Sequence, residues 1–233
     1  SESSKGLFDI TVAPLVQLWG FSNKSSGWEP PQSSDINQLL KNIGNDTWQL
    51  SDGEIIKLNP NIQIDVNAIA KGFGVDELTS LIESMGYNDF MIEIGGEVYC
   101  SGKNEKDEFW KIGVEFPDFD SRKISKIVNL SNAAIATSGD YRNYFTYNGK
   151  TYSHTINPKT GIPINHSMAS ATVISNTCMN ADGLATAILV MGTDKALDYI
   201  ENTDSAECLL IERNGEGDFR TFMSSGFGAY LLD

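Results

Sequence analysis

The sequence predicts an α+β fold, with mixed or antiparallel sheets and helices packed on their faces. Short apolar runs are punctuated by hairpin signals, Ser51-Asp52-Gly53 and Asn148-Gly149 among them. Hairpins and helices alternate without regular βαβ units, which argues α+β. The chain has 233 residues, 40% of them hydrophobic and 10% aromatic. That supports a sizeable core, in one large domain or two closely packed ones, and residues 1–233 are read as a single domain.

The elements follow in order. Phe8 to Trp19 is apolar and ends at Gly20, giving a short strand or helical turn. Phe21 to Gln32, rich in Ser, Gly and Pro, is a loop. A short helix over Asp35 to Ile43 takes Ser34 or Asp35 as its N-cap. Trp48 to Leu50 and Ile55 to Leu58 form the first hairpin. Ile62 to Asp65 leads into a helix with Val66, Ile69, Ala70, Phe73, Leu78, Leu81, Ile82 and Met85 near helical spacing, closed by Gly86. Strands are expected over Phe90 to Ile94, Glu97 to Cys100, Trp110 to Phe116 and Lys126 to Leu130. Tyr144 to Tyr147 and Lys150 to His154 flank Asn148-Gly149, and Ser170 to Ile174 is another strand. Helices over Asn180 to Met191 and Lys195 to Glu201 precede a hairpin of Glu207 to Ile211 with Phe219 to Met223.

Seventeen Lys and Arg against 31 Asp and Glu give a net charge of −14. A surface this acidic repels nucleic acid and anionic lipid, which excludes both as partners. A polyphosphate ligand would need a metal or a local cation to offset the same field. Cys100, Cys178 and Cys208 lack metal-binding or redox spacing and read as small buried apolar side chains. Neither a transmembrane run nor a signal peptide is evident, and the chain reads as a mature form or a piece of a longer protein.

Candidate chemistry concentrates in three polar clusters. Asp182 and Thr186, four residues apart in a helix of mostly small and aliphatic residues, share one face. Two oxygens so placed can grip a hard divalent cation such as magnesium. Asp182 can equally be a helix cap, and Thr186 a core threonine bonded to the preceding turn. His154 stands before the tight turn Asn157-Pro158-Lys159-Thr160-Gly161 and is either a base or a structural histidine; His166 reads as surface. Gly95-Gly96 is a plain turn or a place where backbone approaches a ligand. Lys71 is a surface lysine or a phosphate contact near a helix start. Thr137-Ser138-Gly139-Asp140 reads as a polar turn that caps a helix or hydrogen-bonds a ligand.

Six motifs in series resemble the FAD:protein FMN transferase (ApbE) family. They are Gly6 to Leu15 with Leu18 to Phe21, Asp65 to Gly72, Glu93 to Glu97, TSGDYRNYF, SHTINPKTGIP and ADGLAT, and they span nearly the whole chain. The resemblance implies an α+β fold that binds FAD and Mg²⁺ and moves FMN from FAD to a threonine of an acceptor flavoprotein, releasing AMP. It implies metal ligation by the Asp182 and Thr186 side chains and the Ala68 carbonyl. It makes His154 and Asp182 catalytic, and sets Lys71, Gly95, Gly96, Ser138 and His154 against FAD. It also implies a preceding N-terminal segment that this sequence does not contain, so the domain is expected to be N-terminally incomplete. The expected location is the cell envelope, periplasmic or extracellular, with lipoprotein anchoring in a full-length form. Two other activities stay open: a Mg²⁺-dependent FAD pyrophosphatase, and an FAD-binding module without turnover.

Overall fold

The computed structural model describes residues 2–22, 27–118, 123–141, 143–215 and 218–232. The centre of the predicted Phe21–Gln32 loop and Arg142 of the TSGDYRNYF stretch lie outside them. The chain divides into two compact units, residues 1–66 with 142–166 and residues 67–141 with 167–233.

The first unit holds helices α1 (Ala13–Leu18) and α2 (Ser33–Leu40), the hairpin β1 (Trp48–Ser51) and β2 (Glu54–Lys57), and, after the excursion into the second unit, two further hairpins. The run from Phe8 to Trp19 is therefore helical only in its second half. Its Phe8-Asp9-Ile10-Thr11 portion is held by Asp9, whose buried Oδ1 accepts from the Thr11 N–H at 2.8 Å and the Thr11 hydroxyl at 2.5 Å. The cap expected at Ser34 or Asp35 is not formed: α2 starts at Ser33, and its N-cap Gln32 makes no side-chain cap bond. The first hairpin turns through Asp52 and Gly53, both at positive φ, as expected of a type I′ connection. The core of this unit is Leu15, Trp19, Phe21, Ile36 and Ile156. Trp19 Nε1 donates to the Gly161 carbonyl at 2.8 Å and joins the LWGF and TINPKTGIP motifs.

The second unit is built on one six-stranded antiparallel sheet. After α3 (Asn67–Ser84) come β3 (Phe90–Ile94), β4 (Glu97–Ser101), β5 (Trp110–Glu115), β6 (Ile124–Leu130) and β7 (Ala133–Gly139). The hairpins β8 (Tyr144–Tyr147) with β9 (Lys150–Ser153) and β10 (Ile156–Asn157) with β11 (Ile162–Pro163) belong to the first unit. The second resumes with β12 (Met168–Ser175), α4 (Cys178–Met191), α5 (Thr193–Glu201), β13 (Ala206–Arg213) and β14 (Phe219–Met223). The sheet order is β14-β13-β12-β7-β4-β3.

Strand alternation separates two faces of this sheet. Val98, Cys100, Ala133, Ile135, Ile174 and Leu209 point to one side, where they pack with Val114, Val128, Leu130 and Phe227. The intervening residues, including Glu97 and Ser138, face the side covered by α3 and α4.

One expectation changes here, and one face is not the one that apolar spacing marks. Thr137-Ser138-Gly139 is the end of β7, paired with Ser170 to Thr172 of β12, and not a turn. The large apolar residues of α3 are not its buried stripe. Phe73, Leu78 and Leu81 are exposed, while Gly72, Val75 and Thr79 are buried. The reason is the crossing with α4: a Cβ added at Gly72 would lie 2.4 Å from the Cys178 carbonyl oxygen. Backbones that close admit only small residues on the inner face, so the large ones turn outward.

All three cysteines are buried and unpaired with one another. Burial pushes the Cys100 thiol up to about 12 and the Cys208 thiol up to about 11, so neither supplies a thiolate nucleophile at neutral pH.

Candidate functional site

The site in the second unit is assembled where α3, α4, β4 and β7 meet. α4 is fixed first. Thr177 is its N-cap and accepts from the Asn180 N–H. Asp76 on α3 accepts from the Cys178 N–H at 2.7 Å and the Met179 N–H at 2.9 Å. One helix thus caps the next, and the start of α4 is held against α3. Asp76 was not evident in the sequence; an aspartate in a helical run carries no local sign that it caps a helix a hundred residues away.

With those caps in place, Asp182 is the fifth residue of α4 and is free of the capping role considered for it. It is only 4% exposed, and its Oδ2 accepts from the Gly72 N–H at 3.1 Å. In a regular helix that N–H points at the carbonyl of Ala68, four residues earlier. Ala68 thus lies one helical turn before the residue whose N–H holds Asp182. One turn further along α4, Thr186 Oγ1 lies 3.0 Å from Ser138 Oγ of β7. Two contacts, Gly72 with Asp182 and Ser138 with Thr186, thus tie α4 to α3 and to β7 around these residues. The donors are a carboxylate, a hydroxyl and a carbonyl, all hard oxygens, which fits Mg²⁺ or another hard divalent cation rather than a thiophilic metal. Among the described residues no group of three or more His, Cys, Asp and Glu side chains forms an alternative metal cluster.

Lys71 and Glu97 complete the cluster. Lys71 Nζ is paired with Glu97 Oε1; the lysine side chain is 44% exposed and the glutamate 2%. Burial pushes the Glu97 carboxyl above the usual carboxylate range, with the Lys71 hydrogen bond and charge pulling it back and the charge of Asp182 adding to the rise. Burial likewise raises Asp182, against the Gly72 N–H and the charge of Lys71. Lys71 is thus the cation shared by two buried carboxylates. Gly95 and Gly96 form the β3–β4 turn at φ +63° and +104°, and a Cβ at Gly95 would press on the Lys71 stem at 3.3 Å. Gly95 therefore lies against the Lys71 side chain, and both glycines are exposed.

His154 belongs to the first unit. Its backbone N–H donates to the Asn143 carbonyl at 3.0 Å, and its Nδ1 lies 3.1 Å from the same oxygen. A carbonyl can only accept, so Nδ1 carries a proton, and in the neutral ring the lone pair is then on Nε2. The ring of Phe21 meets it edge-on, with centroids 6.4 Å apart.

The Gly72 contact gives a direct test of this assembly. Gly72→Ala is expected to destabilise the protein by about 1–3 kcal/mol, because its Cβ must push α3 off α4. The same displacement withdraws the N–H from Asp182. Urea denaturation checks the first effect, and the melting temperature with and without added Mg²⁺, compared with that of the wild type, checks the second.

Comparison with known proteins identifies the family and the fold. The sequence profile of the ApbE family matches residues 1–210. The chain is 38% identical over 228 residues to the FAD:protein FMN transferase of Vibrio cholerae, covering 98% of this chain and 68% of that protein. It is 38% identical to the FAD:protein FMN transferase of Haemophilus influenzae, covering 96% and 66% respectively. It thus spans about two thirds of the length of these relatives. The fold superposes on the flavin transferase ApbE from Vibrio cholerae with a TM-score of 0.87 at 36% identity, over 99% of this chain and 72% of that one. The apo form of the Pseudomonas stutzeri flavinyl transferase ApbE gives 0.87 at 34% identity, over 99% and 71%.

Proposed function

The chain belongs to the ApbE family, and from that premise we propose that it transfers FMN from FAD to a threonine hydroxyl of an acceptor flavoprotein, with Mg²⁺ bound at Ala68, Asp182 and Thr186. The observation that carries this reading is the buried Asp182 carboxylate held by the Gly72 N–H, with Ala68 one turn earlier on α3 and Thr186 one turn along α4. That is a donor set for a hard cation in a protein whose net charge of −14 would otherwise repel a pyrophosphate.

The reaction breaks the bond between the FMN phosphorus and the bridging pyrophosphate oxygen. The acceptor threonine oxygen forms the new bond, AMP leaves with the bridging oxygen, and the threonine proton must be taken up. Mg²⁺ supplies charge neutralisation of the pyrophosphate and of the departing AMP. Asp182 and Thr186 present their oxygens from consecutive turns of one rigid helix, so the donors need little reorganisation. His154, as the Nδ1–H tautomer, takes the threonine proton on Nε2. Lys71, Gly95, Gly96 and Ser138 contact FAD, with Lys71 directed to phosphate.

Lys71→Ala is expected to weaken FAD binding about tenfold or more while bound-state transfer slows less, because a phosphate contact remote from the reacting bond contributes mainly uniform binding. FAD titration and single-turnover transfer on the same preparation check this; unchanged affinity would limit Lys71 to its pairing with Glu97.

Chromatographic analysis of products formed from FAD and Mg²⁺, with and without an acceptor domain, tests the function. AMP release that requires acceptor supports transfer. Free FMN and AMP without acceptor indicate a pyrophosphatase, with water in place of threonine. Bound FAD that never turns over indicates a binding module. The proposal includes a cell-envelope location, implied by the family resemblance and checked by fractionating the source cells. Among the described residues no helix is long and apolar enough to cross a membrane.

A further inference from the structure

Glu97 carries more than its lysine. It is the first residue of β4 and faces the helices, and its side chain is 2% exposed. Oε1 holds Lys71, but Oε2 is buried and accepts no hydrogen bond among the described residues. A carboxylate oxygen shielded from water with no donor costs free energy, and native structures keep such groups only with a reason. The oxygen lies 3.7 Å from where a Gly95 Cβ would stand, under the β3–β4 turn. Glu97 and Asp182 both act electrostatically on Cys178 in the first turn of α4, and Asp182 acts on Glu97 itself. Lys71, which Glu97 holds, directly precedes Gly72, whose N–H bonds Asp182, so the orphan oxygen belongs to the same cluster of α3, α4 and β4.

Ala68, Asp182 and Thr186 supply three oxygens, whereas a small hard cation seeks six and gives up its waters reluctantly. Bound waters on a cation are strong donors, and they are the kind of donor Oε2 lacks. We propose that Glu97 is a positioning residue of the metal site: Oε2 accepts a hydrogen bond from a water on the bound cation while Oε1 holds Lys71. The inference rests on the metal reading of Ala68, Asp182 and Thr186. It gives Glu97 two tasks, one toward the cation and one toward the lysine that faces phosphate.

The test is Mn²⁺ affinity, measured by electron paramagnetic resonance with and without FAD, for the wild type, Glu97→Gln and Lys71→Met. Glu97→Gln keeps the shape and removes the charge; loss of such an outer partner typically weakens metal binding about 10–100-fold. Its metal-free melting temperature should change little, since the amide oxygen can still accept from Lys71 and the charge removed is one that burial disfavours. Lys71→Met should bind Mn²⁺ in the absence of FAD as well as the wild type or better, because a competing cation is removed. Should Glu97→Gln fold poorly, Glu97→Asp, with its charge kept and its reach shortened, is expected to show the same loss. Affinity within twofold of wild type in the folded Glu97 variant overturns the proposal and leaves the metal reading intact. An equal loss in Lys71→Met also overturns it, since Glu97 would then act only through the lysine. No Mn²⁺ binding by the wild type in either condition overturns both.

Discussion

Asp182→Ala is expected to lower FMN transfer about a thousandfold and to abolish what remains of its response to Mg²⁺. The carboxylate is the only charged member of the proposed ligand set, and a bound metal contributes several kcal/mol of charge stabilisation to such a reaction. Folding is a separate matter, and its sign is opposite. Burial raises the Asp182 carboxyl above its ordinary range, so ionisation of this group opposes folding. Its favourable contribution is present below the unfolded-state carboxylate range and is lost as pH rises through the raised folded value. The near-isosteric Asp182→Asn should therefore melt higher than wild type at neutral pH without metal, and the gain should shrink on acidification. Added Mg²⁺ should raise the melting temperature of wild type alone. Full turnover of Asp182→Ala at low Mg²⁺ would remove the residue from the metal site.

His154→Ala is expected to slow transfer about 10²–10⁴-fold, the usual cost of losing a general base, while FAD affinity holds. The Nδ1 hydrogen bond to the Asn143 carbonyl fixes the tautomer that leaves Nε2 basic. Protonating the ring removes that lone pair, so wild-type transfer should fall as pH drops and the variant's residual rate should lose this dependence. A structural histidine would show the reverse pattern: a lower melting temperature or weaker FAD binding with the bound-state rate preserved. Measuring affinity and single-turnover rate on one preparation separates the two.

Much of this was legible in the sequence because its signals are local. Asn148-Gly149 and Asp52-Gly53 specify hairpins through their backbone preferences, and both turns have positive φ at both residues. The i, i+4 spacing of Asp182 and Thr186 was enough to set two oxygens on one helix face. What stayed hidden depends on distant partners. The Asp76 cap, the Gly72 contact with Cys178 and the Lys71–Glu97 pair join residues that are far apart in the chain. Hydrophobic spacing does not reveal the inner face of α3, because a close helix crossing selects small residues over large ones. Ser138 was read in a turn because Thr, Ser and Gly favour turns; pairing with β12 on one side overrode that preference. Even the FDITV run, conspicuous as a motif, is in part a device of local folding, since Asp9 and Thr11 bond to each other and Thr11 receives the Gly44 N–H.

Transfer of FMN by a metal-dependent site is tested most directly by the mass of the acceptor. A flavoprotein domain carrying the target threonine is incubated with this protein and FAD, with Mg²⁺ or with chelator, and its intact mass is measured. The expected result is a gain of one FMN on that threonine in Mg²⁺ and none in chelator, with one AMP released per acceptor modified. An unmodified acceptor beside FMN and AMP accumulating in Mg²⁺ would contradict transfer, and equal modification in chelator would contradict the metal site.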